Sequence, residues 1–222
     1  MKKTLLIIFL LITSINLYGQ SETQVLEQLK SKYASVTDMH AKMEIQRSGL
    51  PAEQMEVWFD SNRSRMVSSD VEMMLNDTHF IVVDKQGQQI NVQPRTSTGQ
   101  TAQNYKLPID SLLENNNGVV VDTLSDQSII QVTAQLSHPV ITEMTLKMDM
   151  SLNLTEASYV MNSMTGGQAV MQVRYLEFDI NPDWSLGQFG LDNYMLQQGD
   201  SLQPAPAFSA YSVNEISTIY SK

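Results

Sequence analysis

From Asp38 onward the chain alternates, and this period of two is what most limits its fold. Ala41, Met43 and Ile45 share one parity against His40, Lys42, Glu44 and Gln46. Thr142, Met144, Leu146, Met148 and Met150 do the same against Glu143, Lys147 and Asp149. Successive strand side chains point to opposite faces, so such segments build sheets with one apolar and one polar side. Met55, Val57 and Phe59 keep the apolar parity after the turn at Ser48-Gly-Leu-Pro51, which makes residues 38–59 a hairpin. Arg65–Val67 and Val71–Leu75 read as short strands, and Phe80–Val92 as a hairpin turning at Lys85-Gln-Gly87-Gln88. Val119–Thr123, Ser128–Leu136, Ile141–Met150, Glu156–Met161 and Ala169–Ile180 bring the count to about ten. In the last of these the apolar set changes parity between Tyr175 and Leu176, which predicts a bulge.

Helical signals are few. Ser21-Glu22-Thr23-Gln24 is a capping box, and Val25, Leu29, Tyr33 and Val36 follow at helical spacing, predicting an amphipathic helix over 22–35. Leu107–Glu114, with Pro108 in its first turn, reads as a second, short helix ended by Asn115-Asn-Asn-Gly118. Between these lie the polar, aperiodic residues 94–105, a loop. Residues 197–222 are rich in Gln, Ser, Pro and Ala over 197–210 and are expected to be loosely held. Two helices cannot cover ten strands laid flat, so the sheet is expected to curl around its apolar face. The fold class is therefore mainly β (α+β), a curled antiparallel sheet under a helical cover.

The first residues read as a cleavable leader. Lys2 and Lys3 precede the apolar run Leu5–Leu11, and Leu17-Tyr-Gly19-Gln20-Ser21 closes it with small and polar residues. The run is shorter than the ~20 apolar residues of a spanning helix. We expect residues 1–19 to be a signal peptide, residues 20–196 one domain, and the compartment a bacterial periplasm. The chain has no Cys, so neither disulfides, thiolate chemistry nor acylation of a leader cysteine is expected. Without Lys2 and Lys3 the 14 basic residues fall to 12 against 24 acidic ones, a net charge of −12. That balance excludes nucleic acid as a partner and disfavours attachment to anionic lipid.

Catalytic patterns are weak. His40, His79 and His138 are far apart and lack metal-ligand spacing, and His40 and His138 read as surface residues. There is no nucleophile elbow, and Gly166-Gly167 lies between strands, not at a helix start. No enzyme activity, metal or cofactor is expected. The 14 methionines say more. Met43, Met55, Met144, Met148, Met150 and Met171 all fall on the inward parity. Such flexible side chains suit either a packed core or a lining that adapts to apolar ligands, and periodicity does not separate the two.

Several stretches resemble a known family. Leu29-Lys-Ser-Lys-Tyr-Ala-Ser-Val36 ends the first helix, and Val57-Trp-Phe-Asp-Ser-Asn-Arg-Ser-Arg-Met66 follows the first hairpin. Later come Thr145–Leu152 and Ala169–Asn181, the latter closing on Glu177-Phe-Asp-Ile-Asn181. Over residues 22–195 this pattern resembles the periplasmic outer-membrane lipoprotein carriers, in a divergent branch. The resemblance implies an incomplete β-barrel of about 10–11 strands with a helical lid, whose interior shelters acyl chains. It also implies a monomer, with an acylated lipoprotein or lipid as cargo and inner- and outer-membrane transfer proteins as further partners. An early-strand Arg of those carriers has no counterpart at Phe59-Asp60-Ser61-Asn62, where the nearest are Arg63 and Arg65. The expected ligand-binding residues are Met43, Ile45, Val57, Phe59, Met144, Leu146, Met148, Val173 and Tyr175, with Trp58 and Trp184 at the rim. The alternative is a protein-interaction or sensing module of the envelope, with the same fold and a closed core.

Overall fold

The computed structural model describes residues 22–60, 62–95, 109, 116–123, 128–163, 167–183, 186–199 and 201–216. The expected leader, the short helix 107–114 (Ile109 apart), most of the 94–105 loop and Trp184 lie outside the described residues. The predicted amphipathic helix is present as α1 (Glu22–Tyr33), with Val25, Leu29 and Tyr33 buried. It leads into β1 (Met39–Arg47) and β2 (Glu53–Phe59), the first hairpin. Then come β3 (Ser64–Ser68), β4 (Val71–Leu75), β5 (His79–Asp84) and β6 (Gln89–Pro94). The second half holds β7 (Asn116–Thr123), β8 (Ile129–Leu136), β9 (Ile141–Asp149), β10 (Leu154–Ser163) and β11 (Gly167–Ile180). Two 3-10 turns, Leu186–Phe189 and Leu191–Asn193, precede β12 (Met195–Gln198), β13 (Ser201–Pro204) and β14 (Ser212–Glu215).

Twelve strands form one sheet in the order β14-β6-β5-β4-β3-β2-β1-β11-β10-β9-β8-β7. The first and last of these do not pair with each other, so the barrel is incomplete, as expected. All neighbours are antiparallel except β14, which runs parallel to β6. The expected bulge is real. Lys42 pairs with Glu177 and Met43 with Tyr175, leaving Leu176 over. Leu176 is exposed, while Tyr175 and Phe178 both pack on the inner core.

Three expectations need correction. The residues 197–222, read as loosely held, contribute over 201–216 a short ladder with β12 and the twelfth strand of the sheet. Four-residue strands in Gln- and Ser-rich sequence show no alternation, because the ladder is made by backbone groups. β7 begins at Asn116, three residues ahead of the expected Val119, so Asn116 and Gly118 are strand residues. Met150 follows the end of β9 in a turn and is exposed, away from the face of Met144 and Met148.

The sheet carries two cores on opposite faces. One cluster joins α1 to the inward residues of β1, β2 and β8–β11, with Ile109. The other lies on the reverse side of β4–β6, where Met74, Ile81, Val83, Ile90 and Val92 pack against Tyr194 and Met195. The sequence of β5 records this. Phe80-Ile-Val-Val83 is apolar at every position, Ile81 and Val83 facing the second core and Phe80 and Val82 the inner face. The C-terminal segment is thus a second layer on the outside of one half of the sheet.

Candidate functional site

The registers place the inward residues in rows across the strands. Ala41 pairs with Val57, Val57 with Met66, and Met66 with Met73. The row continues through Val82 to Asn91 and ends at Asn214. A second row runs from Met39 through Phe59, Ser64, Leu75 and Phe80 to Gln93. All nine expected ligand-binding residues lie on this inner face and belong to or touch its core cluster. Met43, Ile45, Val57, Met144, Leu146, Met148 and Val173 are buried, and Phe59 and Tyr175 are half-buried. The structure therefore brings the nine together, in one apolar body under α1.

Burial on this face is uneven. Ala41 and Val57 are buried, Met66, Met73 and Val82 are half-buried, and Asn91 and Asn214 are polar. Val71, Met73, Phe80 and Val82 belong to neither core cluster. Sequence reasoning did not single these residues out. The continuous apolar run of β5 was the available signal, since one face of that strand must serve something other than the second core.

The helical cover is tied down at one end of the sheet. Tyr33 donates its hydroxyl to the carbonyl of Leu152 at 2.9 Å, and Lys32 Nζ donates to Ser151 O and Asn153 Oδ1 at 2.7 and 2.6 Å. Leu152 sits in the left-handed region at φ 62°. Tyr33 also meets Phe178 at 6.4 Å between ring centroids, and Phe178 meets Tyr175 edge-on at 5.2 Å. Asn181 does the rest. Its Oδ1 accepts the backbone N–H groups of Thr37 and Asp38, and its Nδ2 donates to Ser35 O. The end of the Phe-x-x-Asn stretch thus staples the linker after α1 to the last long strand, with Asn181 itself at φ 49°. Burial, helped by the charge of Asp149, pushes the Tyr33 hydroxyl up to about 12.

Trp58 is not at the rim of the inner face. It lies on the reverse side, stacked on His40 at 5.3 Å and under the Arg65 guanidinium at 4.9 Å. His40 is on the outer face but is only 15% exposed, with Nε2 at 2.9 Å from Glu56 and Nδ1 at 3.6 Å from Asp179. Neutral backbone partners hold His138, whose Nδ1 accepts from Val140 and Ile141. Arg65 donates twice to the buried Glu72 at 2.9 and 2.7 Å, and Tyr194 donates to the same oxygen. Arg63 pairs with Asp60 and covers the Phe189 ring at 4.9 Å. Both arginines therefore hold the C-terminal segment against the sheet and not a ligand inside it. Among the described residues no group of three His, Cys, Asp or Glu could hold a metal ion, and no helix is long and apolar enough to cross a membrane.

No protein-family model matches the sequence, and no curated protein matches it. Among solved structures, the chain is similar to an uncharacterized conserved protein from Thermus thermophilus, at 9% identity and TM-score 0.45, over 89% of this chain and 100% of that one. It is similar to MucB at 11% identity and TM-score 0.43, over 81% of this chain, and spans only 63% of the MucB chain. A LolA superfamily protein from Nitrosomonas europaea follows at 8% identity and TM-score 0.34, over 79% and 100% of the two chains. What the described residues themselves define is an open, helix-covered half-barrel with an apolar inner face.

Proposed function

We propose that this protein is a periplasmic carrier that binds acyl chains of lipoproteins or lipids on the inner face of its half-barrel, for transfer to the outer membrane. The observation that supports it is the uneven cover of that face. α1 packs in one cluster with the inward residues of β1, β2 and β8–β11, while Val71, Met73, Phe80 and Val82 of β4 and β5 stay half-buried outside it. Each methylene taken out of water is worth about 0.8 kcal/mol, so a ~16-carbon chain gains on the order of 10 kcal/mol by lying on such a surface. The expected leader supports an exported, diffusible form, which a carrier crossing between membranes needs. Inner- and outer-membrane transfer proteins are the partners this reading requires. To test it, the mature protein starting at Gln20 is purified, delipidated and offered an acylated peptide under native mass spectrometry. Retention of one acylated ligand per chain is expected, and a delipidated protein that rebinds none overturns the reading.

A second reading is an envelope interaction or sensing module. Its support is the dense packing of seven of the nine expected residues, including Leu146 and Met148 at 0% exposure. In that case the inner face is a core, and the protein rebinds no acyl ligand but retains a protein partner.

A further inference from the structure

The part of the inner face left half-buried has a chemistry of its own. Met66, Val71, Met73, Phe80 and Val82 form a half-buried apolar strip, here called the trough, along the inner face of β3, β4 and β5 beside the buried Leu75. These strands cannot turn it away, because their reverse side is sealed by the second core. One edge of the trough runs into the buried core at Val57. The other edge meets β6 and β14, whose inward residues are Gln89, Asn91, Gln93 and Asn214. Asn214 Nδ2 donates to Asn91 Oδ1 at 3.3 Å, which aligns two of these carboxamides side by side.

Among the described residues, charge is missing where a charged head group would need it. Among the described residues the inward positions of β3–β6 hold no Lys or Arg, and Asp84 is their one charge. Its carboxylate is turned to the backbone N–H groups of Gln86 and Gly87 in the hairpin loop. Of the described cations, Lys85 and Arg95 at the two ends of the trough are engaged. Lys85 Nζ donates to Ser68 O at 2.7 Å, and Arg95 Nη1 donates to Asn62 O and Asn76 O at 2.9 Å each. A phosphate or carboxylate laid against this edge would lose hydration without gaining a countercharge. Carboxamides, by contrast, both donate to and accept from esters and hydroxyls.

We propose that the trough binds a fatty acyl glyceryl ester with no charged head, the chain on Met73, Phe80 and Val82 and the glyceryl group on the carboxamides of β6. This deepens the acyl-binding reading above and rests on it. The test uses the delipidated mature protein and three probes with one chain: 1-monooleoylglycerol, oleoyl lysophosphatidate and oleate, read by displacement of a fluorescent fatty-acyl probe. The glyceride is expected to bind at least about tenfold tighter than either anion. Met73→Gln and Val82→Asn, both at half-buried positions, are each expected to weaken glyceride binding by about tenfold, with the thermal midpoint followed alongside. Anions binding as tightly as the glyceride in the unmodified protein overturn the head-group assignment, whether or not the variants fold. Folded variants that bind the glyceride like the parent overturn the trough, although the carrier reading then survives. Binding of none of the three overturns both.

Discussion

Single residues decide how the cover and the C-terminal layer are held. The Tyr33 hydroxyl is buried against the Leu152 carbonyl, so Tyr33→Phe leaves that acceptor without its partner and should cost about 1 kcal/mol in urea unfolding. The same group gives a pH dependence with a definite sign. An ordinary tyrosine ionises near 10.0, and burial raises Tyr33 to about 12. The folded state keeps that proton longer than the unfolded one, so its contribution is whole below pH 10 and is lost as pH rises toward 12. Tyr194 is raised in the same direction, by burial and then by Glu72. Melting points measured from pH 8 to pH 12 should therefore fall only in the upper part of the range, and less steeply in Tyr33→Phe. Glu72 is the other sensitive point. Its removal strands the guanidinium of Arg65, and Glu72→Gln is expected to cost about 3 kcal/mol, with Arg65→Met in the same chain recovering part of it. An additive double-mutant cycle would contradict that coupling.

Among the elements, α1 and the C-terminal segment act on opposite faces. Leu29 is at 0% exposure in the middle of α1. Leu29→Ala should destabilise the protein by about 2–4 kcal/mol, read as the shift of the urea midpoint at constant slope. The C-terminal segment covers the second core and, through β14, the edge of β6. A chain ended before Ser201 strips Leu202, Phe208, Tyr211 and Val213 from the second core and leaves β6 as an unpaired strand edge, and such edges recruit other chains. We expect it to elute as oligomers in size exclusion, where the full chain elutes as a monomer. Leu176 makes the contrasting case. It is the extra residue of an exposed bulge, and Leu176→Glu should change stability by less than about 0.5 kcal/mol.

For the molecule as a whole, one sheet is asked to do two things. Its first-core half is sealed between α1 and β8–β11, while its β3–β5 half is backed from outside and left partly open within. A protein built this way gains stability when the open half is filled. Saturating the mature protein with an acyl glyceride at about 100 times its Kd should raise its stability by about 2.7 kcal/mol, visible as a higher melting point. An unchanged melting point at saturation would contradict binding to the folded inner face.

Alternation along β1, β2 and β9 is enough to predict the strands, their inward residues and the cover by an amphipathic helix, because a strand's two faces are encoded by parity alone. The parity break at Tyr175–Leu176 locates the bulge for the same reason. All nine expected interior residues were legible in this way. Parity cannot say which face of a doubly apolar strand meets which partner, so β5 revealed neither the second core nor the trough. The rim placement of Trp58 went against its parity, opposite to Val57 and Phe59, and its ring lies against His40 and Arg65 outside. Ladders made of backbone groups leave no trace in side-chain pattern, and β14 was hidden in a Gln-, Ser- and Pro-rich tail. Local sequence determined which residues turn inward. Only the tertiary structure, by laying the C-terminal segment on one side of the sheet and α1 on the other, decided which inward residues are core and which are left open.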